Sequence, residues 1–445
     1  MICIIIILTL LRQYRIDPMS ELKKVLIVTY YWPPAGGPAI QRTLKFVKYM
    51  RFFGWEPVIL TVENGEYPAI DPSLIQEIPD NIQVYKTKAF QPFQLYRMLT
   101  GKKGNTHNNA NVFGQKDKTF VERLAKWIRL NLFIPDARIG WYAYAVKAAK
   151  KIIEQEHIDL IYSSSPPHSL QLIAQKIAKQ NKIKWVADFR DPWSELVHYQ
   201  SYKRTWLTRK IDSHFEKSVF RSADRLVAAA NDYATCIKTH VDRKIEVIYN
   251  GYDPSDFPKP KSRNTEDFLI TYTGELSEDR IPHALLRALS RLEHSNIKLQ
   301  FIGNTCPELK QEIQQLNLGN KVILKPYMPH IASIAELQQS DLLLLVINQV
   351  ANGKGIVPGK IFEYLGTRKP ILCLGDPTGE AGEIIKTTNS GFCIAHHNEE
   401  EIFILLSRLS SGVLPGLSFQ TEQFERKNET GQLCDIFNTL VNKPS

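Results

Sequence analysis

The apolar positions of this chain fall into two patterns that alternate along its length. Unbroken runs such as KVLIVTYY (24–31) and DLLLLVI (341–347) have the length of strands and no polar face. A strand reads this way when both faces of a parallel sheet are covered. After the first run come a loop, WPPAGGPAIQR, helical spacing from Ala39 to Phe53 stopped by Gly54, and a second strand over Glu56–Thr61. Strand, loop, helix and strand in that order form the unit of a doubly wound sheet.

The pattern resumes with strands predicted at His157–Ser164, Lys182–Phe189, Arg225–Ala230 and Ile245–Asn250. The stretch Phe90–Leu132 between the two blocks reads as an insertion. It contains an Asn-rich polar segment, 101–112, with the composition of a flexible loop. A basic amphipathic helix follows, KTFVERLAKWIRLNLF (118–133), with Phe120, Val121, Leu124, Trp127, Ile128 and Leu132 on one face. A Pro-rich charged stretch (253–267) then has the character of a linker. Behind it a second series predicts strands at Phe268–Thr273, Ile297–Gly303, Lys321–Tyr327, Asp341–Ile347, Pro370–Gly375 and Gly391–Ala395. The fold class read from this order is α/β, with two doubly wound Rossmann-like domains.

Length agrees with that count, because 445 residues exceed what one ordinary core organises. Six scattered cysteines with no CxxC pair point away from a disulfide framework or a zinc site and toward a reducing compartment, the cytoplasm. The net charge of +10 is dispersed, so a nucleotide diphosphate or an anionic membrane surface suits it as well as nucleic acid does. Residues 2–11, ICIIIILTLL, are about half the length of a membrane-spanning helix. No basic segment precedes them, as a signal peptide requires. Residues 1–18 are therefore read as a leader or a non-native start, and Met19 as the first residue of the α/β fold.

Ligands of open α/β sheets gather at the carboxyl ends of strands, where helix N-termini favour anions. Five stretches lie there. Gly36 and Gly37 form either a cradle for a phosphate or sugar hydroxyl, or a plain tight turn. SSSPPHS (163–169) and ADFRDPWS (187–194) bring His168, Asp188, Arg190 and Asp191 to strand ends. They are either a group that orients and deprotonates a hydroxyl, or an Arg–Asp pair bracing a loop around Trp193. In YTGELSEDR (272–280), Arg280 is a phosphate ligand or a surface arginine. In GKGIVPGKIFEYLGTRKPILCLG (353–375), Lys360 and Glu363 share a helix face three residues apart. An acid among the apolar neighbours Ile361, Phe362, Tyr364 and Leu365 requires a partner, either ribose hydroxyls or the lysine.

Taken in order, these stretches resemble bacterial family 4 glycosyltransferases, together with VIYNGYD (247–253) and FERKNETGQLCDIFNTL (424–440). The resemblance covers about residues 20–445 and implies a GT-B fold, two Rossmann-like domains facing across a cleft. It implies an acceptor-binding domain over 19–255, a domain holding a nucleotide-diphosphate sugar over 266–415, and a C-terminal helix within 416–445 that returns to the first domain. It places Gly274, Arg280 and Lys360 at the diphosphate, Glu363 at the ribose, and Tyr327 and Met328 at the nucleobase. Members usually retain anomeric configuration.

Two positions depart from the family pattern. Gly355 stands where its first glutamate contacts the donor sugar, and Gly274-Glu275 replaces Gly-Arg. The chain has no DxD motif, so no metal or other cofactor is expected. The expected partners are a nucleotide-sugar donor and a glycan or lipid-linked acceptor, not nucleic acid. Peripheral membrane contact is expected through the 118–132 helix and through Arg42, Lys45, Lys48 and Arg51; packing of these helices on the sheet is the alternative. A sugar-nucleotide epimerase and a non-catalytic sugar-nucleotide-binding protein are the competing functions.

Overall fold

The computed structural model describes residues 22–67, 69–90, 120–193, 204–259, 263, 266–292, 295–350, 353–413 and 416–441. The leader, 1–18, and the Asn-rich segment, 101–112, lie outside these residues. The chain divides into two compact units. One runs to Tyr249 and is completed from Glu429 onward. The other comprises Asn250–Asn428.

The first unit is built on a parallel sheet of seven strands. They are β1 (Lys23–Val28), β2 (Trp55–Val62), β3 (Gln83–Thr87), β4 (Leu160–Ser165), β5 (Lys184–Phe189), β6 (Arg225–Ala228) and β7 (Ile245–Val247). Their order is β3-β2-β1-β4-β5-β6-β7, so chain direction across the sheet reverses between β1 and β4. The apolar run of β1 has the predicted cause. Leu26 and Val28 enter one buried cluster, and Val25 and Ile27 enter another on the opposite face. Each such side chain contributes roughly 1.5–3 kcal/mol when fully buried.

One strand, β3, was not predicted. Its sequence QVYKT is half exposed and sits at the sheet edge, pairing on one side only with β2. An edge strand need not be apolar on both faces, so it leaves no continuous run.

The last helix, Arg426–Val441, enters the first unit at Glu429. There Leu433, Cys434 and Phe437 join the cluster under β1. The Phe437 ring packs edge-on to Trp55 at 5.2 Å, and Trp55 donates to Asn438 Oδ1 at 3.2 Å.

The second unit carries six parallel strands: β8 (Phe268–Thr273), β9 (Ile297–Ile302), β10 (Val322–Lys325), β11 (Leu342–Val346), β12 (Ile371–Leu374) and β13 (Gly391–Ile394). Their order is β10-β9-β8-β11-β12-β13, with the reversal between β8 and β11. Among the described residues no helix is long and apolar enough to cross a membrane.

Candidate functional site

In the second unit the reversal between β8 and β11 opens the sheet at its carboxyl ends, the place where such sheets bind ligands. The turn after β8 contains Gly274 at φ 110°, a conformation that favours glycine. A β-carbon there would lie 2.9 Å from Lys360 Nζ, so only glycine leaves the lysine its position. Tyr272 holds the turn, donating from Oη to the Glu275 carbonyl at 2.8 Å. Beyond β11, Asn348 accepts from Arg280 Nε at 2.9 Å and donates to Asp279 at 2.6 Å. This network ties the β8 turn to the end of β11.

Lys360 begins the helix Lys360–Thr367. Tyr364 of that helix is fully buried, donates to the Leu344 carbonyl at 3.2 Å and accepts from the Thr273 amide at 3.3 Å. The helix is thereby fixed to β8 and β11, and Lys360 is held over the opening. Its Nζ lies 3.9 Å from the centre of the Tyr272 ring. It donates no hydrogen bond among the described residues. Burial and the neighbouring Arg280 push its pKa from 10.5 down to about 7, with Glu363 acting in the opposite sense. A half-buried cation with no acceptor among the described residues, beside a guanidinium, has the chemistry to meet an anion. The helix start, whose N-cap Gly359 offers no side-chain cap, adds its positive end.

Glu363, one turn along, is half exposed instead of enclosed by its apolar neighbours. It contacts His330 Nε2 at 3.1 Å, and not Lys360. Tyr327 is 74% exposed and Met328 partly buried, both just beyond β10. Gly355 is buried in a single turn, Gly353–Gly355, and contributes no side chain there.

The first unit differs from the expectation. Asp188 is wholly buried and saturated. It accepts from Arg42 Nε and Nη2 at 2.8 and 2.9 Å, from Tyr162 Oη at 2.8 Å and from Ser164 Oγ at 2.7 Å. Burial pushes its pKa up, but the charge and hydrogen bonds of Arg42, with those of Ser164 and Tyr162, more than offset this and hold it below 3.8. Arg42 also donates to the carbonyls of Ile248 and Tyr249. The geometry makes Asp188 part of a brace whose donors all come from the first unit. Arg190 likewise donates to the Ser165 and Pro166 carbonyls. Asp191 is partly buried.

His168 is 2% exposed, stacks on Trp193 at 4.8 Å, and neither ring nitrogen has a hydrogen-bond partner among the described residues. Burial, then Arg190, pushes its pKa down to about 3, so it is neutral near pH 7. The helix that follows, Ser169–Asn181, is capped by the Asp136 carboxylate, which accepts from the Ser169 amide and hydroxyl at 2.9 Å each. That N-terminus is already occupied by an anionic group.

Gly36 is also committed, since its amide donates to the Ala69 carbonyl at 2.9 Å. Gly37 is exposed at φ 96° and starts the helix Pro38–Met50. On that helix Arg42 and Lys45 are buried, Lys45 against Glu77 at 2.6 Å, and Arg51 just beyond it pairs with Glu56 at 2.7 Å. These three therefore do not form a basic membrane-facing surface. Sequence reasoning missed Asn348, Asp279 and His330. Asn348 was within reach, since it directly follows the DLLLLVI run at a strand's carboxyl end.

Both units are doubly wound parallel sheets, each with a switch point at the carboxyl ends of its strands where such folds bind ligands. Residues 110–256 match the profile described as Glycosyltransferase Family 4, and residues 254–411 match Glycosyl transferases group 1. Together they span well over half of the chain, which belongs to the family 4 glycosyltransferases. No curated protein matches it by sequence. Among solved structures it is similar to a glycosyltransferase from Rickettsia africae ESF-5, at 14% identity and TM-score 0.58, over 96% of this chain and 100% of the other. It is similar also to Anabaena HepE in complex with UDP, at 14% identity and TM-score 0.59, over 94% and 100%. A third is the lipopolysaccharide outer core galactosyltransferase WaaB, at 13% identity and TM-score 0.57, over 94% and 99%. At these identities the likeness establishes the fold, which is GT-B.

Proposed function

We propose that the protein moves a hexosyl group from a nucleotide-diphosphate sugar to a hydroxyl of a glycan or lipid-linked acceptor, with retention of anomeric configuration. The observation that carries this reading is the Lys360 ammonium, half-buried over Tyr272, beside Arg280 and without an acceptor. A diphosphate supplies the missing negative charge. When the glycosidic bond breaks, charge builds on the departing diphosphate, and fixed cations stabilise that state more than the ground state. Arg280 and Lys360 fill the role a divalent ion has elsewhere, so the reaction proceeds without a metal cofactor. Glu363 turns from His330 to the ribose hydroxyls, Tyr327 and Met328 meet the base, and the acceptor is held by the first unit. The UDP bound to Anabaena HepE supports a uridine nucleotide as the first donor to try. We place the reaction at the cytoplasmic face of a membrane, in cell-surface polysaccharide or glycolipid synthesis.

The test is calorimetry with UDP, GDP and ADP, followed by sugar-release and transfer assays with the matching donors. Lys360→Met, which keeps the length and removes the charge, lowers the affinity for the preferred nucleotide by about tenfold to a hundredfold. No binding of any nucleoside diphosphate by the unaltered chain would sink the proposal. Binding without turnover, acceptor extracts supplied, would favour a non-catalytic sugar-nucleotide-binding protein.

A further inference from the structure

The helix Phe120–Leu132 was expected either to pack on the sheet or to meet a membrane. Its last turn does pack, since Leu130 and Asn131 are buried. Three apolar residues of the face before and after that point do not. Leu124 is 46%, Trp127 47% and Leu132 64% exposed.

A second helix, Trp206–Ser222, starts at the same place. The Thr205 amide donates to Asn131 Oδ1 at 2.7 Å, Thr208 Oγ1 donates to the Asn131 carbonyl at 3.2 Å, and Arg204 Nε donates to the Leu130 carbonyl at 3.3 Å. Directly at this joint, Trp206 and Leu207 are 67% and 57% exposed. Five large apolar side chains therefore stand in solvent around one helix–helix junction, where a soluble surface ordinarily disperses them.

Among the described side chains, the exposed charges of the two helices are basic. Both acids of the helix Trp206–Ser222 are turned inward. Asp212 accepts from Trp193 Nε1 at 2.9 Å and from Arg204 at 2.6 Å, and Glu216 is 1% exposed. Arg209, Lys210, Lys217 and Arg221 of the same helix are exposed, as is Arg123 of the first. Lys210 Nζ sits 5.0 Å from the centre of the Trp206 ring, so an aromatic plane and a cation are presented together.

From this we infer that the junction of the helices Phe120–Leu132 and Trp206–Ser222 is a docking surface for an anionic lipid bilayer. Tryptophan and leucine enter the boundary between headgroups and acyl chains, while the surrounding arginines and lysines meet lipid phosphates. The surface deepens the functional reading above, because it would hold the enzyme where a lipid-linked acceptor lies. It rests on that reading only for its purpose, not for its binding chemistry.

The test uses the full chain and a variant carrying Trp127→Ser, Leu132→Ser, Trp206→Ser and Leu207→Ser. All four residues are exposed, and none lies in the candidate donor or acceptor machinery. Co-sedimentation is measured with vesicles of phosphatidylglycerol and phosphatidylcholine in equal parts, and with vesicles of phosphatidylcholine alone. The unaltered chain binds the anionic vesicles, binds the zwitterionic ones far less, and releases as salt is raised. The variant partitions about tenfold or more weakly, since both the apolar insertion and its anchoring are lost. UDP affinity, measured on the same two proteins, is unchanged between them.

Absence of vesicle binding by the unaltered chain overturns the inference. Equal binding by the variant overturns it too, and assigns the membrane contact to another segment such as residues 2–11. A self-associated unaltered chain, with a variant that is monomeric by ultracentrifugation, overturns it in favour of a contact between copies. Vesicle binding without nucleotide binding leaves this surface standing and removes the proposed donor chemistry instead.

Discussion

Lys360 and Tyr272 face each other as ammonium and ring at 3.9 Å, with no carboxylate between them. An aromatic face stabilises a cation more weakly than a carboxylate does, so the lysine keeps an electrostatic demand that a ligand can meet.

That demand is measurable as a proton. The folded pKa of Lys360 is about 7 against 10.5 for an ordinary lysine. Between those values the unfolded chain holds more protons, so without ligand the stability of the second unit rises with pH across that window. An anionic diphosphate restores the charged form. UDP binding at about pH 8 therefore takes up a proton, and its affinity falls as pH rises beyond about 7. Calorimetry in two buffers of different ionisation enthalpy reads the uptake directly. Identical enthalpies in both, or uptake unchanged by Lys360→Met, would show that the lysine does not meet the phosphates.

Glu363→Gln separates two roles for the glutamate. Its contact with His330 is half exposed and contributes at most about 1 kcal/mol to stability. Loss of a charged acceptor for ribose hydroxyls costs about tenfold to a hundredfold in nucleotide affinity. Weakened binding with nearly unchanged denaturant unfolding is the expected pair of results. Unchanged binding with reduced stability would leave Glu363 as a brace for His330.

The Arg42–Asp188 pair behaves in the opposite way. Arg42→Met leaves a buried carboxylate with its hydroxyl donors and no countercharge. The first unit loses about 3–5 kcal/mol, while the nucleotide affinity of the folded protein stays unchanged. Because the Asp188 pKa is held below 3.8 in the folded state, the unaltered protein gains stability from it above that pH and loses it as pH falls through the folded value. Denaturant unfolding near neutral pH checks the variant. A stable variant that has lost turnover would return Asp188 to the catalytic set.

His168→Phe tests a buried histidine whose two nitrogens have no partner among the described residues. The folded pKa near 3 lies below the ordinary 6.5, so the unfolded chain binds the proton first as pH drops from 6.5 toward 3. Stability falls across that window by up to about 1.4 kcal/mol per pH unit for the one proton. Phenylalanine keeps the stack on Trp193, removes the acid slope and leaves stability near pH 7 intact. Loss of turnover in this folded variant would keep His168 in the reaction. Full turnover would make it core.

Much of the fold was legible because two-sided burial writes itself as continuous apolar sequence, as in Val25–Val28 and Leu342–Val346. Gln83–Thr87 was not, since an edge strand satisfies one neighbour and shows its other side to solvent. The residues at the carboxyl ends of the second sheet were legible through their position after strands, and Gly274 and Lys360 do meet. The brace in the first unit was hidden for a plain reason. Arg42 and Asp188 are 146 positions apart, and no local spacing announces a pair closed by the order of strands. His330 lies 33 positions from Glu363 on another helix, so no local spacing announced that contact either.

The second unit is an insertion in the first, leaving at Tyr249 and returning at Glu429. This sets an order of events during synthesis. A ribosome delivers all seven strands of the first sheet early, yet Leu433, Cys434 and Phe437, which fill the cluster beside Trp55, emerge last. The inserted unit can complete its own core before the surrounding one is finished. A nascent chain cut short before Glu429 would thus carry a finished second unit on an open first unit with Trp55 uncovered. The beginning of this protein is the last part to close.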